Sequence, residues 1–79
     1  MERTGNIILL LQYIMSNISK NLKKLRESKG LSQEKLARLS DVANNTIVKM
    51  EAGKNQNPTL DTLRKIAKAL TISVDELIG

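Results

Sequence analysis

Asn44, Asn45 and Lys49 stand close together in the run Ala43-Asn44-Asn45-Thr46-Ile47-Val48-Lys49, and their side chains match the edges of nucleic-acid bases. An Asn amide can bond N7 and N6 of adenine in bidentate fashion, and a Lys ammonium can donate to O6 or N7 of guanine. Each such contact gives roughly 1 to 3 kcal/mol of discrimination. Asn45 and Lys49 are one turn apart, so on a helix they share a face. Ala43 is small enough to touch a thymine methyl. A solvated helix surface uses the same residue types, and Asn44, in the first turn, also suits a cap.

Other chemistry is excluded by what the chain lacks. With no Cys and no His, there is no disulfide, no zinc site of the usual kind and no Ser-His-Asp or Cys-His nucleophile. The carboxylates fall on separate expected helices, and Glu51 to Lys54 lacks the spacing of a phosphate loop. Neither an enzyme nor a cofactor is expected. Thirteen Lys plus Arg against eight Asp plus Glu give a formal charge of +5 and a pI near 9.8, which favours an anionic partner, nucleic acid ahead of an acidic membrane surface. Tyr13 is the sole aromatic residue, so the stacking platforms of single-strand and RNA readers are missing and duplex DNA is the better target. At 79 residues there is room for one small domain, marginal unless its helices pack tightly or the chain dimerises.

The elements that would position these groups are helices. Ser32 is placed to cap a helix running to about Ser40, with Leu36, Ala37 and Leu39 on its inner stripe. After a break at Ser40-Asp41 the chain re-enters a helix from about Ala43 to Ala52, with Ile47 and Met50 inward and Asn44, Asn45, Val48 and Lys49 outward. Before this pair, a helix is expected from about Ser19, as cap, to Lys29, with Ile18, Leu22 and Leu25 inward and Gly30 as its stop. After it, Gly53 ends the third helix. Lys54 to Pro58 is a polar loop, Thr59 caps a fourth helix burying Leu60, Leu63, Ile66, Ala67 and Leu70, and Ser73 caps a short fifth.

From about Ile18 to Gly79 this order of residues resembles the Cro and phage-repressor (XRE) type of helix-turn-helix regulators. The resemblance is carried by Gln33, Ala37, Val42 and Ile47, by Glu51-Ala52-Gly53-Lys54, by Asn57-Pro58-Thr59-Leu60-Asp61-Thr62-Leu63, by Ile66-Ala67-Lys68-Ala69-Leu70 and by Ser73-Val74-Asp75-Glu76-Leu77. It implies an all-α, five-helix repressor-like DNA-binding domain over residues 18–79. Ala43, Asn44, Asn45 and Lys49 would face the bases, and Gln33, Lys54, Asn55 and Gln56 the phosphates, with Lys23 or Lys24 reaching the backbone as well. Arg26 and Glu51 fall where the family often pairs an Arg with a Glu, so an ion pair between them is expected. Asp41 occupies the turn where the family usually has Gly, and it brings a negative charge near the DNA-facing side.

Residues 1–17 differ in kind. Ile7 to Met15 is nearly all apolar but well short of the roughly 20 residues that span a bilayer, and no signal-peptide cleavage pattern follows it. It reads as an arm that packs in a dimer, a tail left mobile or aggregating, or a membrane-contacting segment; Met15 also offers an alternative start. The expectation as a whole is a cytoplasmic, sequence-specific duplex-DNA regulator, a repressor working as a homodimer on a palindromic operator, with no membrane partner and a dimer contact in the region around the fifth helix, including Leu77 and Ile78, alone or together with the apolar leader. Without an effector domain in the chain, control is expected from concentration, a partner protein or proteolysis. The alternative is an antitoxin or other module whose main partner is a protein. Phage, restriction-modification and antitoxin contexts all fit.

Overall fold

The computed structural model describes the backbone of residues 3–54 and 58–79, and the side chains of Leu9, Leu10 and residues 17–54 and 58–79. Five helices follow one another: α1 (Arg3–Ser28), α2 (Gln33–Ser40), α3 (Asn44–Glu51), α4 (Leu60–Leu70) and α5 (Val74–Ile78). Among the described residues there is no strand. Three helices start on a side-chain cap. The hydroxyls of Ser32, Thr59 and Ser73 accept from the amides of Lys35, Thr62 and Glu76 at 3.0, 3.1 and 3.1 Å. Glu76 reaches back to the Ser73 amide at 3.2 Å, completing a capping box.

The first four helices stop in one way. Gly30, Asp41, Gly53 and Thr71 all take left-handed backbone angles, with φ of 70°, 57°, 72° and 57°. In each case the amide of the next residue bonds back to a carbonyl five residues earlier, as Leu31 does to Arg26 at 3.2 Å and Val42 to Ala37 at 3.1 Å. The residue after the corner is apolar and tucked against the core at Leu31, Val42 and Ile72. After α3 it is the exposed Lys54.

The core is built by Ile18 and Leu22 of α1, Leu36 and Ala37 of α2, Ile47 and Met50 of α3, Leu63, Ile66 and Leu70 of α4, and Leu77 of α5. α1 lies against α3 and α5, and α2 against α3 and α4. Ala37 is buried on the inner side of α2, which packs against α3 and α4, and a larger side chain there would push helices apart.

Four expectations are corrected. Ser19 does not cap the first helix, which begins at Arg3 and runs through it. Residues 6–18 contain no Gly or Pro to break a helix, Ser19 is not followed by the Glu or Gln of a capping box, and its hydroxyl instead donates to the Glu51 carbonyl at 2.6 Å. Leu39 is 53 % exposed, because the inward face of α2 is set by Leu36, Ala37 and Ser40, and Leu39 lies roughly 100° round from its centre. Leu60 is 54 % exposed, standing on the flank of the stripe in the open first turn of α4. Leu77 is fully buried in the core of its own chain, so it is not free to face another copy; Ile78 is half-buried.

Arg26 and Glu51 are brought together. Arg26 Nε and Nη2 donate to the two carboxylate oxygens at 2.6 and 3.0 Å, and Nη1 donates to the Leu31 carbonyl at 2.6 Å. The side chains are only 11 % and 4 % exposed. Gln33 Nε2 donates to the same carboxylate at 3.1 Å. Such a pair adds little net stability, but removing one partner strands a buried charge. Glu51→Ala is therefore expected to lower unfolding stability by about 3–5 kcal/mol in urea titration, while replacing both residues by apolar ones of similar volume restores most of it; a loss below about 1 kcal/mol in the single variant would contradict this role. Thr71, β-branched in a left-handed position, is a strained corner. Thr71→Gly is expected to raise stability by about 0.5–1 kcal/mol, the relief of strain exceeding the extra chain entropy of glycine.

Candidate nucleic-acid interface

α3 is a two-sided helix of eight residues. Ile47 and Met50 anchor it in the core, and Asn44, Asn45, Val48 and Lys49 are all exposed on the other side. The division follows from the period of the helix: Ile47 and Met50 are three apart on one stripe, while Asn45 and Lys49 are four apart on the opposite one. Ala43, the residue before the first turn, is exposed and offers no side-chain hydrogen bond to the helix N-terminus. The Thr46 and Ile47 amides bond the Ala43 carbonyl at 3.0 and 3.3 Å, and beside this helix start stand two Asn side chains that can both donate and accept.

Beside this face lies an open hollow lined by Glu34, Ala37, Arg38, Asp41, Val42, Ala43 and Asn44, which is the corner between α2 and α3 seen from outside. Asp41 stops α2 at this corner in the left-handed conformation that the turn demands. Its carboxylate is exposed in the same hollow as Asn44, so a phosphate approaching here would meet one negative charge. Glu34 is offset by Arg38 at 3.5 Å, a fully solvated pair of little energetic weight.

The groups expected to face phosphates are placed differently from one another. Lys54 is exposed immediately after α3, and Lys23 and Lys24 are exposed on α1. Gln33 opens α2 half-buried, with its amide group donating to Glu51, so one of its hydrogens is already committed within the protein. Asn55 and Gln56 lie outside the described residues. The Arg26 guanidinium is held charged even above its ordinary high value, chiefly by its hydrogen bond to Glu51. Arg26, Gln33 and Glu51 thus link α1, the start of α2 and the end of α3 behind the exposed face.

Sequence reasoning missed three of these ties: Ser19 to the Glu51 carbonyl, Gln33 to the Glu51 carboxylate, and Asn21 Nδ2 to the Leu77 carbonyl at 3.2 Å. Each joins residues distant in the chain, and no local spacing announces them. Among the described residues no group of His, Cys, Asp and Glu is clustered to hold a metal ion, and no helix is long and apolar enough to cross a membrane.

The fold has known relatives. An HTH-type transcriptional regulator of Coxiella burnetii is 35 % identical over 65 residues, 82 % of this chain and 30 % of that protein. The HTH-type transcriptional activator BcrR of Enterococcus faecalis is 37 % identical over 61 residues, covering 77 % of this chain and 29 % of its own length. The chain therefore spans about 30 % of the length of these two relatives. The crystal structure of the restriction-modification controller protein C.AhdI from Aeromonas hydrophila superposes with a TM-score of 0.76 at 38 % identity, over 80 % of this chain and 94 % of that one. With the helix-turn-helix family model HTH_3 matching residues 22–77, from the first core leucine of α1 to the buried leucine of α5, this chain belongs to the HTH_3 family of helix-turn-helix DNA-binding regulators.

Proposed function

We propose that this chain is a sequence-specific binder of duplex DNA that represses transcription as a homodimer on a palindromic operator. The observation that supports it best is the outward face of α3, where Asn44, Asn45 and Lys49 are exposed together while Ile47 and Met50 hold the helix to the body. Entering a major groove, Asn44 and Asn45 would address adenine edges, Lys49 guanine, and Ala43 a thymine methyl. Gln33 and Lys54, together with Asn55 and Gln56 of the following loop, would hold the flanking phosphates, and the net charge of +5 would draw the protein to the duplex. One reading helix covers only a few base pairs, so two copies on half-sites about 34 Å apart supply the specificity one lacks. The cell compartment of such a regulator is the cytoplasm.

Repression is favoured over activation because occupancy of a promoter suffices for it, although the Enterococcus faecalis relative is named an activator. The likeness to a restriction-modification controller protein, which this chain matches over 94 % of that protein's length, favours the same kind of operon control here. Preferred duplexes selected from a random pool should be palindromic, and transcription from a promoter carrying the selected site should fall when the protein is supplied. Asn45→Ala and Lys49→Ala should each weaken binding to the selected site by about 1–3 kcal/mol while random duplex is bound nearly as before; equal losses on both would contradict base readout and point to a protein as the main partner. Lys54→Ala should instead weaken both duplexes alike and reduce the salt slope by about one.

A further inference from the structure

α1 continues for fourteen residues, from Arg3 to Ser16, ahead of Ile18, its first core residue, and the family match begins only at residue 22. This stretch carries no charged residue from Thr4 to Ser19, and eight of the nine residues from Ile7 to Met15 are apolar. Leu9 and Leu10 are 64 % and 58 % exposed. A helix apolar all round is buried in protein or spans a membrane, and no described helix is long and apolar enough to span one. A helix lying on a membrane would need a basic polar face, and Lys20 is the first positive charge after Arg3.

The length of α1 suits a second copy of this chain. The helix grips Glu51 of α3 through Ser19 and Arg26, and the middle of that grip falls between Leu22 and Lys23. The apolar stretch is centred on Leu11. Eleven to twelve residues separate the two points, about 17 Å at 1.5 Å per residue. Two such helices paired antiparallel about a two-fold axis near Leu11 would hold their grips on α3 about 34 Å apart, the spacing of successive major-groove faces on one side of duplex DNA. The grips, each within a body of charge +5, would then stand several screening lengths of roughly 8 Å apart at physiological salt, and the stretch from Thr4 to Ser16 between them is uncharged.

We propose that residues 3–16 of α1 pair antiparallel with the same residues of a second copy, and that the length of α1 sets the distance between the two reading helices. The proposal rests on the homodimer reading above, and its test separates the two. In the full chain, Leu9→Glu combined with Leu10→Glu places two acidic residues of each copy in the contact; because both leucines are exposed, the folded body should be unaffected. Sedimentation equilibrium should show a dimer for the unsubstituted protein and a dissociation constant raised roughly a hundredfold or more for the variant. Affinity for a single half-site should stay within about twofold, and affinity for the palindrome should fall by at least tenfold. A dissociation constant for the variant within about threefold of the original would overturn the arm pairing and leave the homodimer standing. An unsubstituted protein that is monomeric both alone and on its selected duplex would end both readings. Flotation of a monomeric protein with phosphatidylglycerol-containing vesicles would assign the arm to lipid instead. Independently, inserting eleven helix-forming residues after Ser16, close to three whole turns, should lengthen the preferred half-site spacing by about 33 Å, or roughly ten base pairs; an unchanged preference would also overturn the proposal.

Discussion

Glu51, the last residue of α3, is the point to which the rest of the reading head is tied. Its carboxylate takes two hydrogen bonds from Arg26 of α1 and one from Gln33 at the start of α2, and its carbonyl takes one from Ser19. Arg26 also bonds the Leu31 carbonyl in the corner between α1 and α2. A buried ion pair is a poor source of net stability, but its geometry is demanding: each donor must arrive from one direction. Apolar contacts are non-directional, and they fix the spacing of α3 and α1 more than their relative rotation. The Glu51 cluster restrains that rotation, and with it the direction in which the outward side of α3 faces.

The same division of labour runs through the body. Apolar side chains supply the cohesion, with Leu22, Leu36, Ile47, Ile66, Leu70 and Leu77 all fully enclosed, while polar groups decide where helices begin and end. Ser40 shows the two together: it is buried in α2, and its hydroxyl is satisfied by the Leu36 carbonyl at 2.7 Å. No described buried side-chain polar atom is left without a partner. A small domain cannot absorb many such losses, since its whole stability is on the order of 5–10 kcal/mol.

Much of this was legible in the chain itself because it depends on near neighbours. Ser32, Thr59 and Ser73 act as caps through amides three residues on, Gly30 and Gly53 stop helices by their own backbone freedom, and the faces of α3 follow from a period of 3.6. Asp41 was readable as a corner because Asp tolerates left-handed angles. Thr71 was not, since a β-branched residue there runs against propensity and is held by the packing on either side. Leu39 and Leu60 look the same in sequence as Leu36 and Leu63; only the direction of neighbouring helices separates them. The start of α1 was missed for a related reason: Ser19 has the composition of a cap, but its hydroxyl is claimed by a carbonyl thirty-two residues away. Leu77 at the end of the chain reads as available surface until the turn after α4 folds it inward.

At three of the four left-handed corners an apolar side chain follows and latches the chain to the core, and at the fourth, after α3, that place belongs to Lys54. The latch is thus kept at Val42, where the chain enters α3, and omitted where it leaves α3. Lys54 brings no apolar side chain to bury, so a cation stands in water where the other corners commit their next residue to the core. α3 is thus fastened by cohesion where it begins and by the Arg26–Glu51 pair where it ends, with a solvated charge just beyond.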